Sequence, residues 1–110
     1  MLFRSGPVAA PQPFQPATFA RNILEMLDVS VQQGWIESPL VARDLRSLLT
    51  DIAKALDRGD ITQASKLLQS LLKRVEEEKE RALLSEAYAL LKFNCEFLQG
   101  QLNREQTHTR

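Results

Sequence analysis

Hydrophobic residues recur every three or four positions between about residue 18 and residue 101 of this chain. This spacing places side chains on one face of an α-helix. Four such stretches follow one another, and each predicts an amphipathic helix. Their predicted core-facing residues are Phe19, Ile23, Met26, Leu27 and Ser30; Val41, Leu45, Leu48, Leu49, Ile52 and Leu56; Ala64, Leu67, Leu68, Leu71, Leu72 and Val75; and Leu84, Ala87, Tyr88, Leu91, Phe93, Asn94, Cys95 and Leu98.

Residues typical of helix starts precede the first three stretches. Thr18 is the predicted N-cap of the first helix, because its hydroxyl can accept a hydrogen bond from a free amide of the opening turn. Ser38 followed by Pro39 predicts the start of the second helix, since proline is favoured at the first helical position. Either Asp60 or Thr62 is expected to cap the third helix.

Glycines predict where helices end, and the last boundary has the fewest signals. Gly34 and Gly59 are expected to end the first two helices and Gly100 the fourth, because glycine adopts the left-handed conformation without strain. The charged segment 73–81 contains neither Gly nor Pro, so Ser85 is the only predicted N-cap there. One continuous helix of about 38 residues would span about 57 Å with no helix long enough to cover it. We therefore predict two antiparallel helices.

These elements predict an all-α fold, an antiparallel up-and-down four-helix bundle over residues 17–101 with an extended Pro-rich N-terminal leader. The leader is residues 1–16, where four of the five prolines disfavour both helix and strand. Its opening residues 1–5 correspond to one reading frame of a common sequencing adapter, so we expect a truncated fragment of a longer protein. The polar residues 102–110 are predicted to form a disordered tail.

Charge and composition narrow the possible functions. The chain has 110 residues, with 14 Lys and Arg balancing 14 Asp and Glu. This balance argues against nucleic-acid binding, which needs a basic face. No apolar stretch approaches the roughly 18 residues of a membrane-spanning helix. The single Cys and single His, Cys95 and His108, favour no metal or nucleophilic site, so we expect no catalytic residues, no cofactor and no metal.

Trp35 is the one candidate for a partner contact. It lies in the predicted turn between the first two helices. A tryptophan there either covers the end of the bundle or serves as an exposed aromatic anchor for a partner protein or a sugar ring. The sequence leaves both interpretations open.

Six motifs follow one another along the chain. They are Gly34-Trp35-Ile36; Leu45, Leu48, Leu49 and Ala55; Leu56-Asp57-Arg58-Gly59; Ala64, Leu67, Leu68, Leu71, Leu72 and Val75; Leu84-Ser85 with Ala87; and Leu90-Leu91. The order of these motifs resembles the FIMAH domain, a small four-helix module of large secreted bacterial proteins. The resemblance covers about three quarters of the chain, and no single motif carries it.

The resemblance implies a non-catalytic, extracellular accessory role. The expected partner is another protein or another domain of the parent chain, with no nucleic acid and no membrane insertion, and the oligomeric state is left open. The alternative is a free-standing cytoplasmic adaptor built from helix hairpins of the tetratricopeptide kind, because the Leu56–Gly59 hinge also occurs in such repeats. A secretion signal and a catalytic domain upstream would favour the first interpretation.

Overall fold

The computed structural model describes residues 14–108, with side chains described for residues 14–104. Four helices make up most of this part: α1 Pro16–Gln32, α2 Pro39–Asp57, α3 Ile61–Glu78 and α4 Ser85–His108. The predicted all-α class is confirmed. Most of the predicted leader, including the adapter-like residues 1–5, lies outside the described residues, and its last residue, Pro16, is the first residue of α1.

The helices pack in a ring, because each contacts two neighbours in the order α1, α2, α3, α4 and back to α1. Short connections make successive helices antiparallel, which is the predicted up-and-down arrangement. Most of the predicted core-facing residues meet at the centre, but Leu84 is 40% exposed. Fully buried side chains there are Ile23, Leu27, Leu45, Leu49, Ile52, Leu68, Leu71, Val75, Leu91, Cys95, Leu98 and Leu102.

The start of α1 differs from the prediction. Pro16 occupies the first helical position, and Gln15 before it has extended backbone and makes no capping hydrogen bond with its side chain. The fixed φ of proline suits the first turn, so the helix begins earlier than Thr18. Thr18 is therefore not the N-cap: it lies within the first turn, and its hydroxyl donates to the side-chain oxygen of Gln15 at 3.3 Å.

The boundaries of α2 and the start of α3 are confirmed. The Ser38 hydroxyl and the Asp60 carboxylate each accept a hydrogen bond from the amide three residues later, at 3.3 Å and 3.2 Å. Gly34 and Gly59 follow α1 and α2 with φ of +79° and +73°. Both glycines thus supply the left-handed residue that turns the chain after a helix.

A connection of six residues, 79–84, separates α3 from α4 and confirms two helices rather than one. The chain reverses through Glu80, which has a φ of +68°. Ser85 is the first helical residue rather than the cap. The carbonyl of Leu84 accepts the first helical hydrogen bond, from the Tyr88 amide at 2.9 Å.

This connection is hydrogen-bonded to the turn between α1 and α2. The Glu37 amide donates to the Ala82 carbonyl at 2.7 Å, and the Leu84 amide donates to the Trp35 carbonyl at 2.8 Å. Ile36, between the two bonded residues of its segment, is buried. The two loops therefore form one short antiparallel bridge that closes this end of the bundle.

The helix α4 does not end near Gly100 but continues to His108. Leu102 explains the continuation, because it is fully buried and follows Leu98 at helical spacing. Burying a leucine contributes about 1.5–3 kcal/mol, which outweighs the cost of about 1 kcal/mol for one helical glycine. Residues 102–108, assigned to a disordered tail from the sequence, are therefore part of α4.

Candidate interaction surface

An exposed apolar surface runs along the outer side of α1 and α4. Its most exposed side chains are Phe93 at 64%, Phe97 at 49% and Val29 at 46% of their full accessible area. Such large hydrophobic side chains are normally covered in a stable domain. We call this surface the aromatic face and define it by Phe14, Phe19, Met26, Val29, Leu90, Phe93 and Phe97.

Three phenylalanine rings form the end of the aromatic face near the start of α1. The ring centroids of Phe14 and Phe19 lie 5.6 Å apart, those of Phe14 and Phe97 lie 5.8 Å apart, and those of Phe19 and Phe97 lie 5.3 Å apart. These separations and the tilted or edge-to-face orientations are the arrangements that aromatic rings favour. The cluster fixes Phe14, two residues before the start of α1, against Phe97 in the second half of α4.

A shallow groove of about 390 Å³ forms the other end of the aromatic face. Met26, Val29 and Leu90 give it apolar walls, and Asn22 and Glu25 line it as polar residues. A groove with apolar walls and a few polar groups suits an apolar side chain of a partner better than a charged ligand.

The periodicity of α4 explains why this face is exposed. Leu91, Cys95 and Leu98 are fully buried, and Phe93 lies two residues from both Leu91 and Cys95. Two residues correspond to about 200° around a helix, so Phe93 faces away from the core. The prediction that Phe93 is a core residue was wrong. A stricter count of the period would have shown two series in α4, one buried and one, with Phe93 and Phe97, exposed.

The other three helix contacts are bridged by charges. Among the residues with described side chains, no ion pair joins α1 to α4. Among these side chains, the side of the bundle that carries the aromatic face thus lacks the charged bridges of the other three helix contacts. The bridging pairs are Arg21–Asp57 and Arg46–Asp28 between α1 and α2, Arg74–Asp44 between α2 and α3, and Lys92–Glu76 between α3 and α4.

The contact between α3 and α4 contains a connected polar network. Glu76 accepts a hydrogen bond from the Tyr88 hydroxyl at 2.6 Å and pairs with the Lys92 ammonium at 3.0 Å. The bond from Tyr88, followed by that from Lys92, lowers the pKa of Glu76. The bond that Lys92 donates to the Tyr88 hydroxyl at 3.0 Å, followed by its contact with Glu76, raises the pKa of Lys92. Lys79 lies 5.2 Å from the centre of the Tyr88 ring. The carboxylate of Glu76 and the ammonium of Lys92 thus have partners within the domain, and their contacts link α3 to α4.

The charged segment 73–81 pairs both within itself and with other helices. Arg74 pairs with Glu78, and Lys79 pairs with Glu76, inside the segment. Arg74 also bridges to α2, and Glu76 also bridges to α4. The segment therefore connects helices.

The thiol of the buried cysteine is unreactive. Cys95 is fully buried, and its burial raises the pKa of the thiol to about 12. With this pKa the thiol stays protonated near neutral pH, and it is unreactive because only the thiolate is an effective nucleophile.

Nowhere among the described residues do three His, Cys, Asp or Glu side chains come together in a way that could hold a metal ion. Within the described part, no helix is both long and apolar enough to span a membrane.

Trp35, the predicted contact residue, lies in the bridge at the end of the bundle. Its side chain is half-buried and packs against the core, and its carbonyl accepts the bond from Leu84. A contact between Trp35 and a partner stays a prediction. The sequence-based search for contact residues missed the aromatic face, which exposes far more apolar surface.

Together, the ring of four helices and the apolar core at its centre define a small all-α helical-bundle domain. A family model described as the FIMAH domain matches residues 20–99, which span most of α1 and all of α2 and α3. The chain belongs to the FIMAH domain family, as the order of its motifs predicted. Two further comparisons, one with curated proteins and one with solved structures, found no match.

Proposed function

We propose that this FIMAH domain is a non-catalytic accessory module of a larger secreted bacterial protein, and that it makes protein contacts through the aromatic face. The observation that carries the proposal is the exposure of Phe93 and Phe97 beside Val29 and Leu90 on one side of the bundle. Contiguous apolar surface on a small domain is typical of a docking site, and aromatic side chains dominate the energy of such sites.

The chemistry of the remaining polar groups supports a non-catalytic role. The only cysteine is buried and protonated, and the strongest polar network is neutralised by its own lysines. General acid and base catalysis needs groups whose pKa lies near the working pH beside a substrate pocket. The pKa of Glu76 is lowered below its ordinary value of 4.5, which takes it further from neutral pH.

Membership of the FIMAH family supports the accessory role, because the family match over residues 20–99 favours this kind of domain over a helix-hairpin repeat. The secreted location is what the resemblance implies, and it is part of the proposal. The genomic sequence upstream of Met1 tests this part. A secretion signal in the same reading frame supports the proposal, and a complete frame among genes for cytoplasmic proteins contradicts it.

Site-specific photo-crosslinking tests the contact surface. A photoreactive phenylalanine analogue replaces Phe93 on the aromatic face, and in a control it replaces Gln69, which is exposed on α3. We expect protein adducts at position 93, identified by mass spectrometry, and few at position 69. The adducts at position 93 should disappear when Phe97, one helical turn away on the same face, is changed to Asp, because burying a charge there is costly.

Equal adduct yields at positions 93 and 69 would contradict the proposed contact surface. The non-catalytic part is tested separately by incubating the purified 110-residue chain with glycan and peptide substrates. Turnover that scales with the amount of folded protein would contradict it.

A further inference from the structure

We infer that the occupant of the aromatic face is a second copy of this chain, bound antiparallel across a two-fold axis at the level of Cys95 in α4. The inference rests on the proposed function, because it names the partner of the same surface. It follows from the positions of two aromatic and two charged side chains along α4, namely Glu86, Phe93, Phe97 and Arg104.

These four side chains lie in one line on the outer side of α4. At about 100° per residue, their directions fall within an arc of about 40°. All four are exposed, and Phe97 touches Phe19 of α1, which places the line beside α1. The opposite flank of α4 carries Tyr88, which is bonded to α3. The line is therefore the part of α4 that meets solvent on the aromatic face.

The order of these residues is symmetric about Cys95. Phe93 and Phe97 lie two residues on either side of it, and Glu86 and Arg104 lie nine residues on either side. Across a two-fold axis, residue i of one copy meets residue j of the other, and j meets i. An antiparallel pair of α4 helices centred on Cys95 therefore places Phe93 on Phe97 and Glu86 on Arg104, twice each.

The two charges are available for such pairs. Neither Glu86 nor Arg104 takes part in an ion pair among the described side chains. By contrast, the basic groups at the other helix contacts, such as Arg74 and Lys92, already have acidic partners. Opposite charges at the two ends of an apolar centre fix register and orientation, which is the role that rim charges have in interfaces.

The composition and size of the face indicate the strength of the contact. An apolar centre of phenylalanines with Asn22 and Glu25 at the edge matches the core and rim of protein interfaces. From Glu86 to Arg104, α4 rises about 27 Å, and adjacent helices lie about 10 Å apart. Two helices thus offer on the order of 500 Å² per copy, near the lower limit of specific interfaces, so the dimer is weak and depends on concentration.

Sedimentation of the purified 110-residue chain tests the dimer. We expect a monomer–dimer equilibrium with Kd in the micromolar range, visible between about 1 μM and about 1 mM protein. Changing Phe93 to Asp should abolish the dimer over this range while leaving the helical circular-dichroism spectrum intact, because Phe93 is largely exposed.

A charge exchange tests the antiparallel register. Glu86→Lys and Arg104→Glu should each raise Kd by about tenfold or more, since each creates two repulsive contacts. The double variant recreates two attractive contacts and should restore the dimer to within about threefold of the original Kd. Glu77→Lys makes the same charge change on α3, away from the face, and should leave Kd unchanged.

Three results overturn the inference: a monomer up to about 1 mM, a dimer that survives Phe93→Asp, or a double variant that is no tighter than the single variants. The proposed function survives a purely monomeric chain if position 93 crosslinks to a different protein or to another part of a parent chain. The absence of both dimer and adducts contradicts both.

Discussion

The two flanks of α4 differ in chemistry: one makes polar contacts with α3, and the other carries exposed apolar side chains beside α1. On the flank toward α3, the polar groups of Tyr88, Lys92 and Gln99 have partners in α3: Glu76 for the first two and Ser65 for the third. On the flank toward α1, the side chains are apolar and partly uncovered. The first flank is held mainly by hydrogen bonds and an ion pair within the domain, whereas the second leaves apolar surface in water, which the proposed dimer would cover.

This difference separates contributions to folding from contributions to association. Exposed ion pairs are each worth about 1 kcal/mol or less, so the charged contacts mainly set how the helices align. The buried leucines contribute most of the stability. The aromatic face leaves half or more of Phe93 and nearly half of Phe97 in water, so the fold gains only part of their possible burial energy.

The largest expected effect comes from two adjacent residues of α4. Leu98→Ala should lower the free energy of unfolding by about 2–5 kcal/mol, because Leu98 is fully buried and leaves a cavity. Phe97→Ala should cost about 1 kcal/mol, since about half of its ring already meets water and only its ring contacts are lost. Urea denaturation of both variants measures the difference.

Similar losses for Leu98→Ala and Phe97→Ala would break the comparison. In that case, Phe97 would be a core residue whose exposure has no bearing on partners. The measurement needs protein concentrations well below Kd, because dissociation of a dimer would otherwise add to the apparent loss.

The two buried serines should respond to alanine with opposite signs. The Ser65 hydroxyl accepts a hydrogen bond from the Gln99 amide at 2.6 Å, whereas the buried Ser30 hydroxyl has no hydrogen-bond partner. Ser65→Ala should destabilise by about 1 kcal/mol, and Ser30→Ala should stabilise by about 1 kcal/mol. Thermal and urea unfolding of the two variants, side by side, check the signs. A destabilising Ser30→Ala would show that its hydroxyl does find a partner.

Sequence patterns were sufficient for the helices and most of the core. Ser38, Gly34 and Gly59 act locally, so their effects on helix ends can be predicted from neighbouring residues alone. The end of α4 could not be predicted in this way. It depends on Leu102 reaching a core that other helices build, and this tertiary gain exceeds the local preference of Gly100.

The aromatic face was only partly predictable. Phe93 and Phe97 lie out of step with Leu91 and Cys95, which the sequence does show. The contact of Phe97 in α4 with Phe19 of α1 and with Phe14 ahead of α1 depends on which helices become neighbours, and periodicity within one helix does not specify that. The same reasoning applies to Trp35, whose bond to Leu84 joins two loops far apart in the sequence.

A smaller effect is expected at the contact between α2 and α3. Arg74→Met keeps the aliphatic stem but removes the bonds to Asp44 at 3.0 Å and to Glu78 at 3.1 Å. Because these side chains are partly solvated, the loss should be about 0.5–1 kcal/mol and should shrink at high salt. Phe93→Ser on the aromatic face serves as the matched control and should stay within about 0.5 kcal/mol. A larger loss for Phe93→Ser than for Arg74→Met would reverse the proposed division between the two surfaces.

The smallest expected effect is a pH dependence confined to the α3 flank. The Tyr88 hydroxyl, and then Lys92, hold the pKa of Glu76 below its ordinary value of 4.5. The stability that this group contributes is therefore present above pH 4.5 and is lost as the pH falls through the lower pKa of the folded state. Tyr88→Phe should move the pKa of Glu76 back toward 4.5, which carboxyl NMR signals can follow. It should also weaken the pH dependence of the free energy of unfolding.

Phe97→Leu, on the opposite flank, should leave this titration unchanged, because no residue of the aromatic face contacts Glu76 through a hydrogen bond or an ion pair. A shift of the Glu76 titration by Phe97→Leu would mean that the two flanks of α4 are coupled, and the separation between folding and association would then fail.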